Sequence, residues 1–165
     1  MKQLSPRGTK WLKAIHVALA CAWVGAGITL VIMQFALTAT GGQELYGIDR
    51  AKKFIDDYVI IPGAFGMLIT GLLYSLLTPW GFFKHNWVTV KWIINVGGIL
   101  FGTFFLGPWI NGMPPISGDI GLKALTDAAY LHNKSMNSIW GTVQVATLVF
   151  AVFISVLKPW KKSKA

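Results

Sequence analysis

The chain has 165 residues, of which 54% are hydrophobic and 13% charged, and its mean hydropathy is +0.56. A soluble domain of this length needs more surface charge, so the composition points to one membrane-embedded domain. The net charge of +9 raises a nucleic-acid partner, but the basic residues sit at the ends of apolar runs and form no basic stripe with interleaved aromatics, which excludes it.

The chain opens on Lys2, Arg7, Lys10 and Lys13, and an apolar run follows to Thr38. That run is too long for a signal-peptide core and reads as a retained helix over residues 11–38, closed by Gly41-Gly42. The single cysteine, Cys21, lies inside it, so a disulfide framework, c-type haem attachment and a cysteine-ligated iron–sulfur cluster are all excluded. A second span is predicted over 58–77, with Pro62 in its first turn and Pro79 past its end. Residues 49–57 either extend that helix or lie on the surface. A third span runs over 87–106, with Asn86 as N-cap and Gly107-Pro108 as its stop. Residues 119–132 read as an amphipathic helix, and a fourth span covers 136–157. Each span is near the ~20 residues that cross ~30 Å of hydrocarbon, where the backbone must satisfy its own hydrogen bonds. The predicted fold is an all-α, four-transmembrane-helix bundle with no soluble catalytic domain.

Placing both termini in the cytoplasm puts 10 Lys and Arg inside (Lys2, Arg7, Lys10, Lys13, Lys84, Lys91, Lys158, Lys161, Lys162, Lys164) against 5 outside. All six acidic residues then fall outside, and the positive-inside rule is met. Trp11, Trp80, Trp87, Trp109 and Trp160 sit at span ends, as an interfacial aromatic belt requires.

Small and polar residues hold helices together in lipid, because apolar tails do not. Each span carries one such stripe: His16, Ala20, Trp23, Gly27 and Gln34 on the first; Gly63, Met67, Thr70 and Tyr74 on the second; Lys91, Asn95, Gly98 and Gly102 on the third; Asn137, Gln144, Thr147, Ala151 and Ser155 on the fourth. Packing alone accounts for most of these. His16 and Lys91 are different, because a charge within hydrocarbon costs roughly 2.5–3.5 kcal/mol on insertion scales and tends to be partnered. Both lie about five residues, ~7–8 Å, past the start of their helices, and Tyr74 approaches the same level. His16 is either a neutral core histidine or a ligand. Lys91 either snorkels to the headgroups or serves that site. His85 is either solvated or a second ligand at the cytoplasmic mouth. On the outer side, His132, Met136, Met113 and Met33 have the soft-donor chemistry of a copper site, although such spacing is common by chance.

Four pieces carry a family resemblance: His16 with Ala22-Trp23-Val24-Gly25; Ile61-Pro62-Gly63 through Thr70-Gly71-Leu72; Trp87-Val88-Thr89-Val90-Lys91-Trp92; and the polar fourth helix with Gln144. They resemble small bacterial membrane proteins that include the copper-resistance CopD-like domain and the HemJ-type protoporphyrinogen oxidase. The resemblance covers most of the chain diffusely. It implies an inner-membrane location and b-type haem, with His16 as axial ligand and Lys91 pairing a propionate or handling protons. Further charged residues of the HemJ pattern have no match here, which tells against its oxidase activity.

The expectation is a haem b site among His16, Trp23, Tyr74, Lys91 and Asn95, serving electron transfer, haem handling or sensing. A redox partner and a homodimer go with it. The alternatives are copper handling at the outer face and a structural subunit with no cofactor.

Overall fold

The computed structural model describes residues 3–79 and 81–159, which fold into helices and contain no strand. Trp80, Trp160, Lys2, Lys161, Lys162 and Lys164 of the topology argument lie outside the described residues. Six α-helices follow in order: α1 (Pro6–Ala36), α2 (Gly42–Ile55), α3 (Ile61–Leu77), α4 (Asn86–Phe101), α5 (Gly107–Ile120) and α6 (Ala128–Leu157). Ser5 caps α1 by accepting from the Gly8 N–H at 3.1 Å, with Pro6 at the first helical position. Asp127 caps α6 by accepting from the Tyr130 N–H at 2.9 Å.

Two π-helical turns, Asp56–Ile60 and Gly102–Leu106, splice α2 to α3 and α4 to α5. The Gly107-Pro108 stop predicted for the third helix is therefore wrong: the helix runs on through it. In each rod the residue before the proline bonds one position further back than an α-helix would, Ile61 N–H to the Asp56 carbonyl and Gly107 N–H to that of Gly102. Pro62 and Pro108 come next. A proline lacks an N–H and its ring presses on the carbonyl four residues back, and widening the turn relieves that contact without ending the helix.

Three other expectations change. His85, not Asn86, is the N-cap of α4, and no side chain caps it. Residues 119–132 are not one helix: α5 ends at Ile120, a 3-10 segment covers Gly121–Thr126, and α6 begins at Ala128, well before residue 136. Residues 49–57 do extend the second helix.

The four rods, Pro6–Ala36, Gly42–Leu77, Asn86–Thr126 and Ala128–Leu157, are each long and apolar enough to cross a membrane. Their surfaces bear large apolar side chains such as Ile69, Ile93, Phe104, Phe150 and Phe153, an arrangement suited to lipid as solvent. Within the bundle α1 packs on α3 and α6, and α4 on α6 and α3. Trp23, Ala64 and Leu148 form the buried centre. The starts of α1 and α4 and the ends of α3 and α6 share one end, called here the terminal end. There the Leu4 N–H donates to the Leu77 carbonyl at 3.0 Å, and Lys91 and Lys158 both lie over the Trp87 ring.

At 1.5 Å per residue the 36-residue second rod is about 54 Å long, far beyond ~30 Å of hydrocarbon. The excess of α2 packs on α5, and α5 on α6, as a cap at the other end. Its core is Leu45, Ile110, Met113, Ala124 and Tyr130. Inside it the Tyr130 hydroxyl donates to the Asp49 carboxylate at 3.0 Å, and buried Lys52 donates to Gln34 on α1 at 2.6 Å.

Candidate functional site

Toward the terminal end, α1 and α3 bring His16 against Thr70, Nδ1 to Oγ1 at 2.7 Å. The Thr70 hydroxyl has one proton, and it lies 2.7 Å from the Gly66 carbonyl one turn earlier. Donation to that carbonyl leaves Thr70 Oγ1 as acceptor, so the His16 proton belongs on Nδ1 and Nε2 keeps its lone pair. The Tyr74 ring meets the imidazole edge-on, with centroids 5.5 Å apart. Gly71 exposes bare backbone beside it; a Cβ there would stand 4.0 Å from His16 Cε1 and 3.9 Å from Trp92 Cζ2. Trp92 is itself tied to α3, donating to Ser75 Oγ at 3.2 Å.

Of the residues the sequence singles out, His16 and Tyr74 are thus in contact. Lys91 lies with its ammonium 5.7 Å from the Trp87 ring centroid, and His85 stacks on the same ring at 6.1 Å. Asn95 has a fully buried Oδ1 that accepts no hydrogen bond among the described residues. Trp23 is two turns further along α1 than His16, packed on the bare backbone of Gly63. Thr70, which sets the histidine tautomer, was read from sequence as a packing residue. Thr147, placed on the inner face of α6, is exposed and bonds its own helix at Gln144.

Beyond Trp23 a cavity of about 420 Å³ opens toward the cap. Its floor is Trp23, Ala64 and Leu148, with the Gln144 amide close to Trp23, and its upper wall carries Gln34, Asp56, Asn111 and Asn137. Gln144 Nε2 donates to the Gly98 carbonyl at 2.9 Å, crossing from α6 to α4. Both π turns contribute to the wall, through Asp56 and Ile60 on one rod and Gly102, Thr103 and Leu106 on the other. The apolar span of the second rod starts at residue 58, so Asp56 stands just outside it. Burial first, and then neighbouring Asp57, raise its carboxyl to about 6 against an opposing pull from Lys53. From sequence, Asp56 belongs to a stretch, residues 49–57, that either extends the second helix or lies on the surface, and no inward role was read for it. Its place six residues before Pro62 puts it at the first position of the π turn.

The soft-donor candidates sit in different surroundings. Met113 is fully enclosed in the cap core, His132 is exposed on α6, and Met136 and Met33 are half-buried. No group of three His, Cys, Asp or Glu side chains forms a metal-sized cluster among the described residues. No protein-family model matches the chain, and no curated protein or solved structure shows detectable similarity to it.

Proposed function

We propose that this chain is a multi-pass protein of the bacterial inner membrane that binds haem b in the terminal half of its bundle, with His16 as an axial ligand. The observation that carries the reading is the His16–Thr70 bond. A metal-binding histidine needs one nitrogen free and the other held by an acceptor, and this pair supplies both. The donor chemistry suits the group: a neutral imidazole, bare backbone at Gly71 beside it, the aromatic rings of Tyr74 and Trp92, and the Lys91 cation for a carboxylate.

Bound haem supplies one-electron chemistry in electron transfer, haem handling or sensing. Thr70 fixes the ring orientation and tautomer of His16. Lys91, held near Trp87, would pair a propionate or pass protons. The charge distribution supports termini in the cytoplasm and the cap outside.

The test is a haem assay on protein purified in mild detergent, by absorption and by conversion to the pyridine haemochrome. The expected result is a b-type spectrum that is lost in His16→Ala while the variant stays folded and monodisperse. A wild-type protein that stays colourless after haemin addition contradicts the reading, as does an unchanged spectrum in the variant.

A further inference from the structure

A cavity of about 420 Å³ lies away from His16, beyond Trp23, and its wall has a consistent chemistry. We infer that it is a binding site for an organic ammonium ion with an apolar body, the charge resting at Asp56.

Charge comes first. Among the described residues no hydrogen bond or ion pair reaches the Asp56 carboxylate, while the cations around it are engaged elsewhere. Lys53 donates to Asp57 at 2.6 Å and to Asn111 at 2.7 Å, and Lys52 donates to Gln34 at 2.6 Å. None of the residues lining the cavity is basic. The wall therefore presents one uncompensated negative charge, which repels anions and attracts a cation.

Shape decides which cation. A cavity of about 420 Å³ lies in the ~300–1,000 Å³ range of small-molecule sites and is far too roomy for a bare metal ion. A hard metal ion also wants several carboxylates, and Asp56 is the only acidic side chain on the wall. Gly63, which packs on Trp23, follows Asp56 by seven residues, so the carboxylate stands ~10 Å above the floor. Between the two the lining is largely apolar, with Ile60 and Val145. A ligand that fills this space carries its charge at the mouth and hydrocarbon or an aromatic ring below.

The π turn adds acceptors. Gly107 gives its N–H to Gly102 and Pro108 has none, so the carbonyl of Thr103, a residue of the cavity lining, lacks its helical donor. Such a carbonyl suits the N–H groups of a primary or secondary amine.

The experiment measures binding of radiolabelled benzyltrimethylammonium to the full chain in lipid nanodiscs. The competitors are methylammonium, phenethylammonium, uncharged neopentylbenzene of nearly the same shape as the probe, and sodium and calcium ions. Saturable binding is expected, competed by phenethylammonium far better than by neopentylbenzene. Asp56→Asn, which breaks no hydrogen bond, should weaken it at least tenfold, and Asp57→Asn should do so far less. Three results overturn the inference: no saturable binding to folded protein, equal affinity in Asp56→Asn, or binding only of sodium or calcium. The haem assay reads His16, at the other end of the bundle, so the two proposals fail separately.

Discussion

Tyr130, at the start of α6, reaches back 81 positions to donate its hydroxyl to Asp49 of α2, O to O 3.0 Å, with both side chains almost fully enclosed. That bond ties the projecting ends of the second and fourth rods. Burial, reinforced by Asp49, pushes the Tyr130 phenol above its usual value, so the bond persists into alkaline solution. Tyr130→Phe keeps the ring and leaves a buried carboxylate short of a donor. It should lower stability by about 1–3 kcal/mol, read as a fall in melting temperature by scanning fluorimetry in detergent. An unchanged melting temperature would show that the cap does not depend on this pair.

The cap also closes on a backbone contact. A Cβ on Gly42 would stand 2.9 Å from Gly121 Cα, and Gly121 itself has φ +58° with ψ −134°. Gly42→Ala and Gly121→Ala should each destabilise the protein by more than Gly25→Ala, where a Cβ meets nothing within 4 Å. The comparison needs only the three melting temperatures, and equal values would contradict the packing described.

Binding of a permanently charged ammonium should depend on pH through Asp56. The folded carboxyl is raised to about 6, so it is ionised above that value and neutral below it. The charged groups near it are Asp57 and Lys53 on its own rod, with Lys52 one turn further out. Affinity should be flat above neutrality and fall by up to about tenfold per pH unit below pH 6. Asp56→Asn should abolish the dependence, which an affinity titration at several pH values reads directly.

Thr70 provides a test of how His16 is held. Thr70→Val keeps the shape and removes the acceptor at Nδ1, whereas Thr70→Ser keeps the hydroxyl. Loss of such an orienting partner typically weakens metal binding by roughly 10–100-fold. Haem retention on dilution should therefore drop in Thr70→Val and recover in Thr70→Ser. If both behave like wild type, the histidine does not need this bond.

Much of the spanning architecture was legible because lipid imposes a simple rule, a long apolar run between polar ends. The inner faces were legible too: Trp23, Gly27, Gly63 and Thr70 are buried as their spacing predicted. The extent of the rods was not. Gly107-Pro108 has the local form of a helix stop, and what overrides it is distant, the burial of Ile110 and Met113 against Leu45. The cavity was missed for the same reason. Asp56 lines the cavity from the first position of a π turn, and the register shift of such a turn leaves hydropathy unchanged. At the terminal end, His16 and Tyr74 were found together, but the residue that fixes the imidazole is a threonine, indistinguishable in sequence from any other packing hydroxyl.

Chemical rescue of the axial position is the most direct measurement of the central claim. His16→Gly is purified in mild detergent, supplied with haemin, and its reduced-minus-oxidised spectrum is recorded with and without imidazole. The account predicts a wild-type b-type spectrum, its loss in the variant, and its return when imidazole fills the place of the missing ring. A spectrum in the variant that is unaffected by the substitution, or a wild-type protein that takes up no haem, would contradict it.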